Sequence, residues 1–149
     1  MKAVAQRVSS GGVDIKSENY SVSIGKGIVI LLGIKVGDNG EDVNYLADKC
    51  CGLRIFEDNT EKMNLSIKDI EGEVLIISQF TLYGDPSKGN RPSFIQAARP
   101  EEAILLYEKF ISRIKENIGE PKVKTGKFGA IMSVKIINDG PVTIIIESR

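Results

Sequence analysis

A short group of polar residues ends an otherwise apolar stretch near the middle of the chain. Val74–Ile77 is continuously apolar, and Ser78, Gln79 and Thr81 follow it among hydrophobic neighbours. Hydroxyl and amide groups at the end of a buried strand need partners, because an unpaired buried polar group costs roughly 1–3 kcal/mol. Two interpretations stay open here: the side chains bond nearby backbone, or they contact a substrate.

A second candidate lies near the C-terminus, where Asn138–Thr143 interrupts two β-like runs. Pro141 cannot donate to a sheet ladder. The bond between Gly140 and Pro141 also has a trans preference of only about 0.5–1 kcal/mol. An ordinary turn accounts for this segment. The alternative is a rigid pair of backbone carbonyl groups presented to a ligand.

The chain contains no histidine. This excludes a Ser-His-Asp or Cys-His catalytic arrangement and a histidine-ligated metal site. Cys50 and Cys51 are adjacent, which gives neither a disulfide framework nor a zinc spacing, so we expect them to pack in the interior. The sequence predicts no metal and no cofactor. Hydrolysis would have to use hydroxyls, backbone groups, carboxylates or the substrate itself.

Length and charge limit the possible partners. The 149 residues carry 20 basic and 20 acidic side chains, with 42% hydrophobic residues, and predict one domain over residues 1–149. A neutral protein is a poor candidate for coating nucleic acid, although it can grip the end of one RNA through a local basic patch. No apolar run reaches the ~18 residues of a membrane span, and no signal-peptide pattern follows Met1. We expect a cytoplasmic protein without a membrane partner.

The pattern of apolar residues predicts an α+β fold, with two main helices and a largely antiparallel sheet or barrel. The first helix carries the stripe Val43, Leu46, Ala47, Cys50 and Leu53, and the second runs from Pro100 to Gly119. Strands are predicted over Ala3–Val8, Val13–Lys16, Tyr20–Ile24, Ile28–Ile34, Val74–Tyr83, Ile131–Asn138 and Val142–Glu147, with turns at Ser9–Gly12 and Asp139–Pro141 and a polar connection over Phe56–Asp69.

The two candidate motifs together resemble the D-aminoacyl-tRNA deacylase family, which edits mischarged tRNA. SQFTLY (Ser78–Tyr83) and NDGPVT (Asn138–Thr143) carry the resemblance. Further matching pieces, in the family's order, are AVAQRVS (Ala3–Ser9), GKGIVILLGI (Gly25–Ile34), LRIFED (Leu53–Asp58), KMNLS (Lys62–Ser66), RPSF (Arg91–Phe94) and TGKFGAIM (Thr125–Met132). The similarity covers essentially the whole chain, with departures at Ser10-Gly11-Gly12 and Ile131.

The resemblance implies a homodimer with its active site at the subunit interface. One chain would supply the catalytic residues Ser78, Gln79, Phe80 and Thr81. The other would supply Gly140 and Pro141, joined by a cis bond, for chiral selection. The remaining residues implied are Arg7, Met132 and Asn138 in support, and Lys88, Arg91, Lys127 and Phe128 as contacts of the tRNA 3′ end.

The implied activity is that of a carboxylic ester hydrolase. It would release the amino acid from D-aminoacyl-tRNA and from glycine mischarged on tRNA(Ala), and spare L-aminoacyl-tRNA. The ester is already activated, so positioning and carbonyl polarisation matter more than a strong base. Thr81 as nucleophile and a water oriented by the terminal 2′-hydroxyl are both possible, and we favour the water. The competing hypothesis is a non-catalytic nucleic-acid-binding or scaffold protein on the same fold.

Overall fold

One long strand, β1, organises the fold. The computed structural model describes residues 1–149 and contains eight strands and two helices. Their bounds are β1 Lys2–Ile15, β2 Tyr20–Ile24, β3 Gly27–Gly33, α1 Gly40–Gly52, β4 Phe56–Glu57, β5 Met63–Leu65, β6 Glu73–Ser78, α2 Pro100–Ile118, β7 Val123–Thr125 and β8 Ser133–Glu147. β1 pairs antiparallel with β2, β3 and β8.

The main sheet is mixed. Its order is β2-β1-β3-β6-β7, with β8 added along β1, and the β3–β6 and β6–β7 pairings are parallel. It approaches a barrel without closing, since no pairing joins β7 to β8. The predicted α+β class with two main helices is confirmed, and the antiparallel pairings of the main sheet are those that β1 makes.

Strand β6 is buried on both faces, as its continuous apolar run predicts. Val74 and Ile76 belong to the larger apolar cluster, which also contains the buried faces of both helices. Leu75 and Ile77 belong to a smaller cluster on the other side of the strand, covered in part by the residues that lead into β8. The end of β6 is therefore held firmly from both sides.

Both helices begin where sequence signals predict, and α2 also ends at such a signal. Asn39 accepts from the backbone of Glu41 while the Asp42 carboxylate accepts from the backbone of Asn39, a capping box for α1. Pro100 opens α2, and Gly119 ends it with a φ of 95°. Neither helix combines the length and the apolarity needed to cross a membrane.

The predicted turn at Ser9–Gly12 is wrong, because these residues lie within β1. The glycines serve close packing between strands. A β-carbon on Gly11 would lie 2.8 Å from Val29 Cγ2, and one on Gly12 would lie 3.1 Å from the oxygen of Val22. The register of β1 against β8 shifts just before them, between Gln6 and Ser10.

The predicted strand Val74–Tyr83 is too long. Its last sheet bond runs from the amide of Gln79 to the oxygen of Leu32 at 2.8 Å, and Phe80–Tyr83 then forms a 3-10 turn. A glycine on the neighbouring strand makes room for this turn. A β-carbon on Gly33 would lie 3.1 Å from Leu82 Cβ and 3.2 Å from the Gln79 oxygen.

Two other segments differ from the sequence-based prediction. The last two predicted strands are one strand, β8, because both parts pair with the same partner, β1. Asp139–Pro141 is an irregularity within this strand, where the register shifts opposite Arg7. The connection Phe56–Asp69 contains the short hairpin β4–β5.

Candidate active site

A cavity of about 640 Å³ opens at the end of β6. Twelve of its seventeen lining residues are hydrophobic, so it suits a flat or apolar group. Ser78, Gln79 and Phe80 line it on one side. The other walls come from the end of β3, from the segment Phe94–Pro100 at the start of α2, and from the segment Phe128–Met132 before β8.

One side-chain hydrogen bond links the polar residues that follow β6. Gln79 Nε2 donates to Thr81 Oγ1. An amide donor leaves the threonine its own proton, so this contact orients the hydroxyl without making it a nucleophile. Tyr83 lies in the same 3-10 turn, and burial raises the pKa of its hydroxyl well above the ordinary value. Tyr83 therefore stays protonated at neutral pH and is no substitute for the missing base.

The start of the 3-10 turn also exposes backbone donors. The first N–H groups of a helical turn have no acceptor inside that turn. No side chain caps this one. Because Phe80 lines the cavity, we expect the amides of Phe80 and Thr81, the first of this turn, to be available to a carbonyl oxygen there.

The wall formed by Phe128 is supported from beneath by Tyr107 of α2. The two rings are 5.7 Å apart, and the Tyr107 hydroxyl donates to the oxygen of Ile76 at 3.0 Å. Gly126 N donates to the same oxygen, also at 3.0 Å. Burial raises the pKa of Tyr107 well above its ordinary value, so the hydroxyl remains a donor. One carbonyl therefore fixes both α2 and the segment that carries Phe128.

The Gly140–Pro141 bond is cis. Arg7 and Asn138 hold the backbone around it. Arg7 is 7% exposed, and its Nη1 donates to the oxygen of Ile55 at 2.8 Å. Asn138 Nδ2 donates to the oxygens of Arg7 and Val142, at 2.9 and 3.1 Å.

Gly140 and Pro141 are exposed and do not line the cavity of their own chain. They lie on β8, whose second edge has no strand partner. Ile137 and Ile145 on this strand are 46% and 66% exposed. An unpaired edge with exposed isoleucines is a surface that native proteins usually cover.

The D-Tyr-tRNA(Tyr) deacylase family matches residues 4–147. The chain belongs to this family. A protein of Flavobacterium psychrophilum named D-aminoacyl-tRNA deacylase is 55% identical over 149 residues, covering 100% of this chain and 98% of the relative. A Clostridium botulinum (strain Alaska E43) protein of the same name is 56% identical over 148 residues, covering 99% and 97%.

Two solved structures have the same fold. One, named c-Myc DNA Unwinding Element Binding Protein, superposes with a TM-score of 0.94 at 40% identity, covering 100% of this chain and 99% of that one. The other, described as a probable eukaryotic D-amino acid tRNA deacylase, has a TM-score of 0.83 at 17% identity and covers 98% of both chains, which shows the fold alone. The family resemblance drawn from the sequence is confirmed.

Within this deacylase-family chain, the predicted site residues fall into two groups. Ser78, Gln79, Phe80, Phe128 and Met132 all line the cavity. Thr81 joins them through Gln79, while the pair Gly140–Pro141 with Arg7 and Asn138 forms a separate group on β1 and β8. Their assigned roles stay predictions.

The predicted RNA contacts differ in how free they are. Lys88 and Arg91 are exposed on the loop before Phe94, and neither forms an ion pair. Lys127 is paired with Glu18 and lies 4.9 Å from the ring centre of Tyr20. Unlike Lys88 and Arg91, Lys127 therefore already has partners within its own chain.

Sequence reasoning did not assign a role to three residues near the cavity. Phe94 and Arg99 line it, and Tyr107 supports its wall. Phe94 belongs to the RPSF piece of the resemblance, and Tyr107 lies on the apolar stripe of α2. Arg99 carried no signal in the sequence, and the signals of Phe94 and Tyr107 did not indicate the cavity, because only packing in three dimensions brings these residues to one place.

Proposed function

We propose that this protein hydrolyses the ester bond of D-aminoacyl-tRNA, with the ester carbonyl beside Ser78–Thr81. The observation that carries the proposal is the cavity that ends at these residues in a chain of this family. Few of its lining side chains are polar, and two of them, Ser78 and Gln79, lie together at the end of β6, as expected of a site that fixes one bond for reaction. We also expect a cytoplasmic location, where charged tRNA is found.

The cavity suits the terminal adenosine better than the amino acid. An enzyme that selects by handedness, across different side chains, gains nothing from a pocket fitted to one of them. The adenosine is the part that all charged tRNAs share. Its base would enter the apolar space near Phe128 and Met132, and the ester on its ribose would lie at the rim.

The reaction proceeds without a protein base. A water held by the 2′-hydroxyl of the ribose attacks the ester carbonyl carbon, and the amides of Phe80 and Thr81 stabilise the negative charge on the oxygen. The bond between that carbon and the 3′ oxygen then breaks. The 3′ oxygen takes up the proton released by the water, which yields free tRNA and free amino acid.

Chiral selection comes from a second chain. Gly140 and Pro141 do not line the cavity of their own chain, and β8 presents them on an unpaired edge. In a homodimer they would face the partner's cavity and occupy the space of an L side chain. Rejection by backbone leaves D-amino acids and glycine acceptable, since glycine has no side chain to exclude.

The deciding assay compares three charged tRNAs with purified wild-type protein at sub-stoichiometric concentration. We expect D-tyrosyl-tRNA and glycyl-tRNA(Ala) to be hydrolysed repeatedly and L-tyrosyl-tRNA to survive. Equal rates on the D and L forms would contradict selection by Gly140–Pro141. Release of less than one amino acid per protein chain would contradict catalysis.

One observation favours a second candidate, binding to DNA without catalysis. The 40% identical structure carries the name of a protein that binds a DNA unwinding element. The neutral net charge of this chain is unfavourable for such binding, which depends on phosphate contacts. A gel-shift titration with a DNA duplex, run beside the deacylation assay, tests it. Tight binding of the duplex together with no turnover of charged tRNA would support the DNA-binding alternative, and turnover without duplex binding would contradict it.

A further inference from the structure

Two aromatic rings stand at the mouth of the cavity. Phe80 is 56% exposed and Phe94 is 39% exposed, and their centres lie 5.2 Å apart at 69°. Gly84 lets Phe94 sit this close, because a β-carbon there would lie 2.9 Å from Phe94 Cε1. Large exposed aromatic side chains are unusual on a surface that only faces water.

Unpaired positive charge accompanies the aromatic pair. Arg99 lines the cavity and is exposed, and none of its atoms forms an ion pair or a side-chain hydrogen bond. Arg91, three residues before Phe94, is also unpaired. Glu101 and Glu102 follow Arg99 on α2, but neither lines the cavity. The cavity is therefore lined by two exposed aromatic rings and by a guanidinium group that has no partner.

We propose that Phe94 and Arg99 form a second nucleotide subsite, which receives the nucleotide preceding the terminal adenosine. The base would stack on Phe94, and its phosphate would bind Arg99. This inference rests on the proposed function, because it places the terminal adenosine in the cavity. An aromatic face with a cation beside it is the usual way in which proteins hold single-stranded nucleic acid.

The chemistry of the subsite fits the substrate class. Stacking on an aromatic ring does not depend on base identity, since every base has a flat face. An enzyme that acts on many tRNAs needs such a contact at their unpaired end. A base-paired nucleotide would not present its face to Phe94, so the subsite selects a single-stranded terminus.

The test compares two substrates that differ only beyond the terminal nucleoside. One is D-tyrosyl-tRNA, and the other is the 3′ D-tyrosyl ester of adenosine. The measured quantity is the ratio of kcat/KM on the tRNA to kcat/KM on the nucleoside. Phe94→Leu and Arg99→Gln should each lower this ratio by about tenfold, chiefly through KM on the tRNA. Phe94→Tyr, which keeps the aromatic face, should restore it.

Two further variants sharpen the result. Gly84→Ala pushes the Phe94 ring aside and should lower the ratio in the same direction. Ile95→Ala is the matched control, because Ile95 is 85% exposed next to Phe94 yet does not line the cavity. Its ratio should equal that of the wild type.

Three outcomes would overturn the proposal. An unchanged ratio in Phe94→Leu and Arg99→Gln would show that the tRNA does not touch these residues. An equal loss on both substrates would make Phe94 a wall of the cavity only. A change of oligomeric state in Phe94→Leu, seen by sedimentation, would show that a second copy covers this surface. If the wild-type protein hydrolyses neither substrate, the result contradicts the proposed function itself, and the subsite proposal falls with it. This outcome can be told apart from the three above, in which the wild type is active.

Discussion

The guanidinium group of Arg7 binds the backbone immediately before Gly140. Its Nε lies 3.1 Å from the oxygen of Asp139 and 3.3 Å from the Asp139 carboxylate. The same side chain reaches Ile55 on the other side, so one buried cation joins β1, β8 and the residue before β4. Hydrogen bonds from a charged group with restricted access to water are stronger than neutral ones.

Replacing Arg7 by lysine should therefore destabilise the protein by about 2 kcal/mol, since lysine cannot reach both backbone oxygens at once. Urea unfolding of the wild type and of Arg7→Lys measures this difference in the free energy of unfolding. Arg113→Lys is the control, because Arg113 pairs with Asp48 on the surface and should cost less than about 1 kcal/mol. Equal losses in both variants would contradict a special role for Arg7.

Gly140 has no room for a side chain. Its φ is 126°, and a β-carbon would lie 2.8 Å from Val142 Cγ2 and 3.1 Å from Arg7 Nη2. Gly140→Ala should lower stability by about 2 kcal/mol and abolish measurable deacylation. Gly52→Ala is the matched control, since nothing lies within 4 Å of that position at the end of α1. A Gly140→Ala protein with wild-type activity would refute this.

We expect Thr81 to orient the reacting groups rather than to attack the ester. The Gln79 amide donates to its oxygen, and no group that could remove its proton is in contact with it. Thr81→Ala should slow turnover by about 10²-fold without abolishing it. Quenched reactions of the wild type, examined by mass spectrometry, should show no amino acid attached to the protein. A D-tyrosyl ester on Thr81 would establish covalent catalysis instead.

The terminal 2′-hydroxyl should act mainly in the transition state. D-Tyrosyl-tRNA ending in 2′-deoxyadenosine should lose on the order of 10²-fold in kcat, with KM little changed. Single-turnover and steady-state rates on the two substrates separate these quantities. If turnover is the same without the 2′-hydroxyl, the base has to be sought in the protein.

Asp58 should make stability depend on pH in the acid range. It accepts from the side chain of Asn64, from the side chain and backbone of Thr60, and from the backbone of Lys62, which lowers its pKa below the ordinary 3.8. Stability from these bonds is full above about pH 4 and is lost as pH falls towards the lowered value. Asp58→Asn should make the midpoint of urea unfolding change less steeply with pH between about pH 4 and pH 2. Asp14→Asn, on an exposed part of β1, serves as control.

The helices and the central strand could be predicted from local sequence. Pro100 and Gly119 are start and stop signals in themselves, and the apolar run of β6 needs no knowledge of its neighbours. The 3-10 turn after Ser78 could not be predicted, because it depends on Gly33 of another strand. Gly11 shows the same difficulty, since a glycine that permits close packing resembles a glycine that makes a turn.

The residues of the candidate site also differ in whether the local sequence could identify them. Ser78, Gln79 and Thr81 could be named as candidates because polar residues follow a buried strand, and only the family resemblance gave them a catalytic role. The walls of the cavity come from segments far apart in sequence, so Phe94 and Arg99 carried no local signal of their role. Lys127 was expected to be free for RNA. It pairs instead with Glu18, and this pairing depends on the tertiary structure, because Glu18 precedes β2 whereas Lys127 follows β7.

In the proposed homodimer, Gly140 and Pro141 would complete the partner's cavity, so defects in the two halves of the site should complement each other. In a hybrid dimer, a chain altered at Ser78–Thr81 still contributes its Gly140–Pro141 to the intact cavity of a Gly140→Ala chain. One of the two sites then has both halves intact. Two preparations that are inactive alone would recover activity when unfolded together and refolded as a mixture.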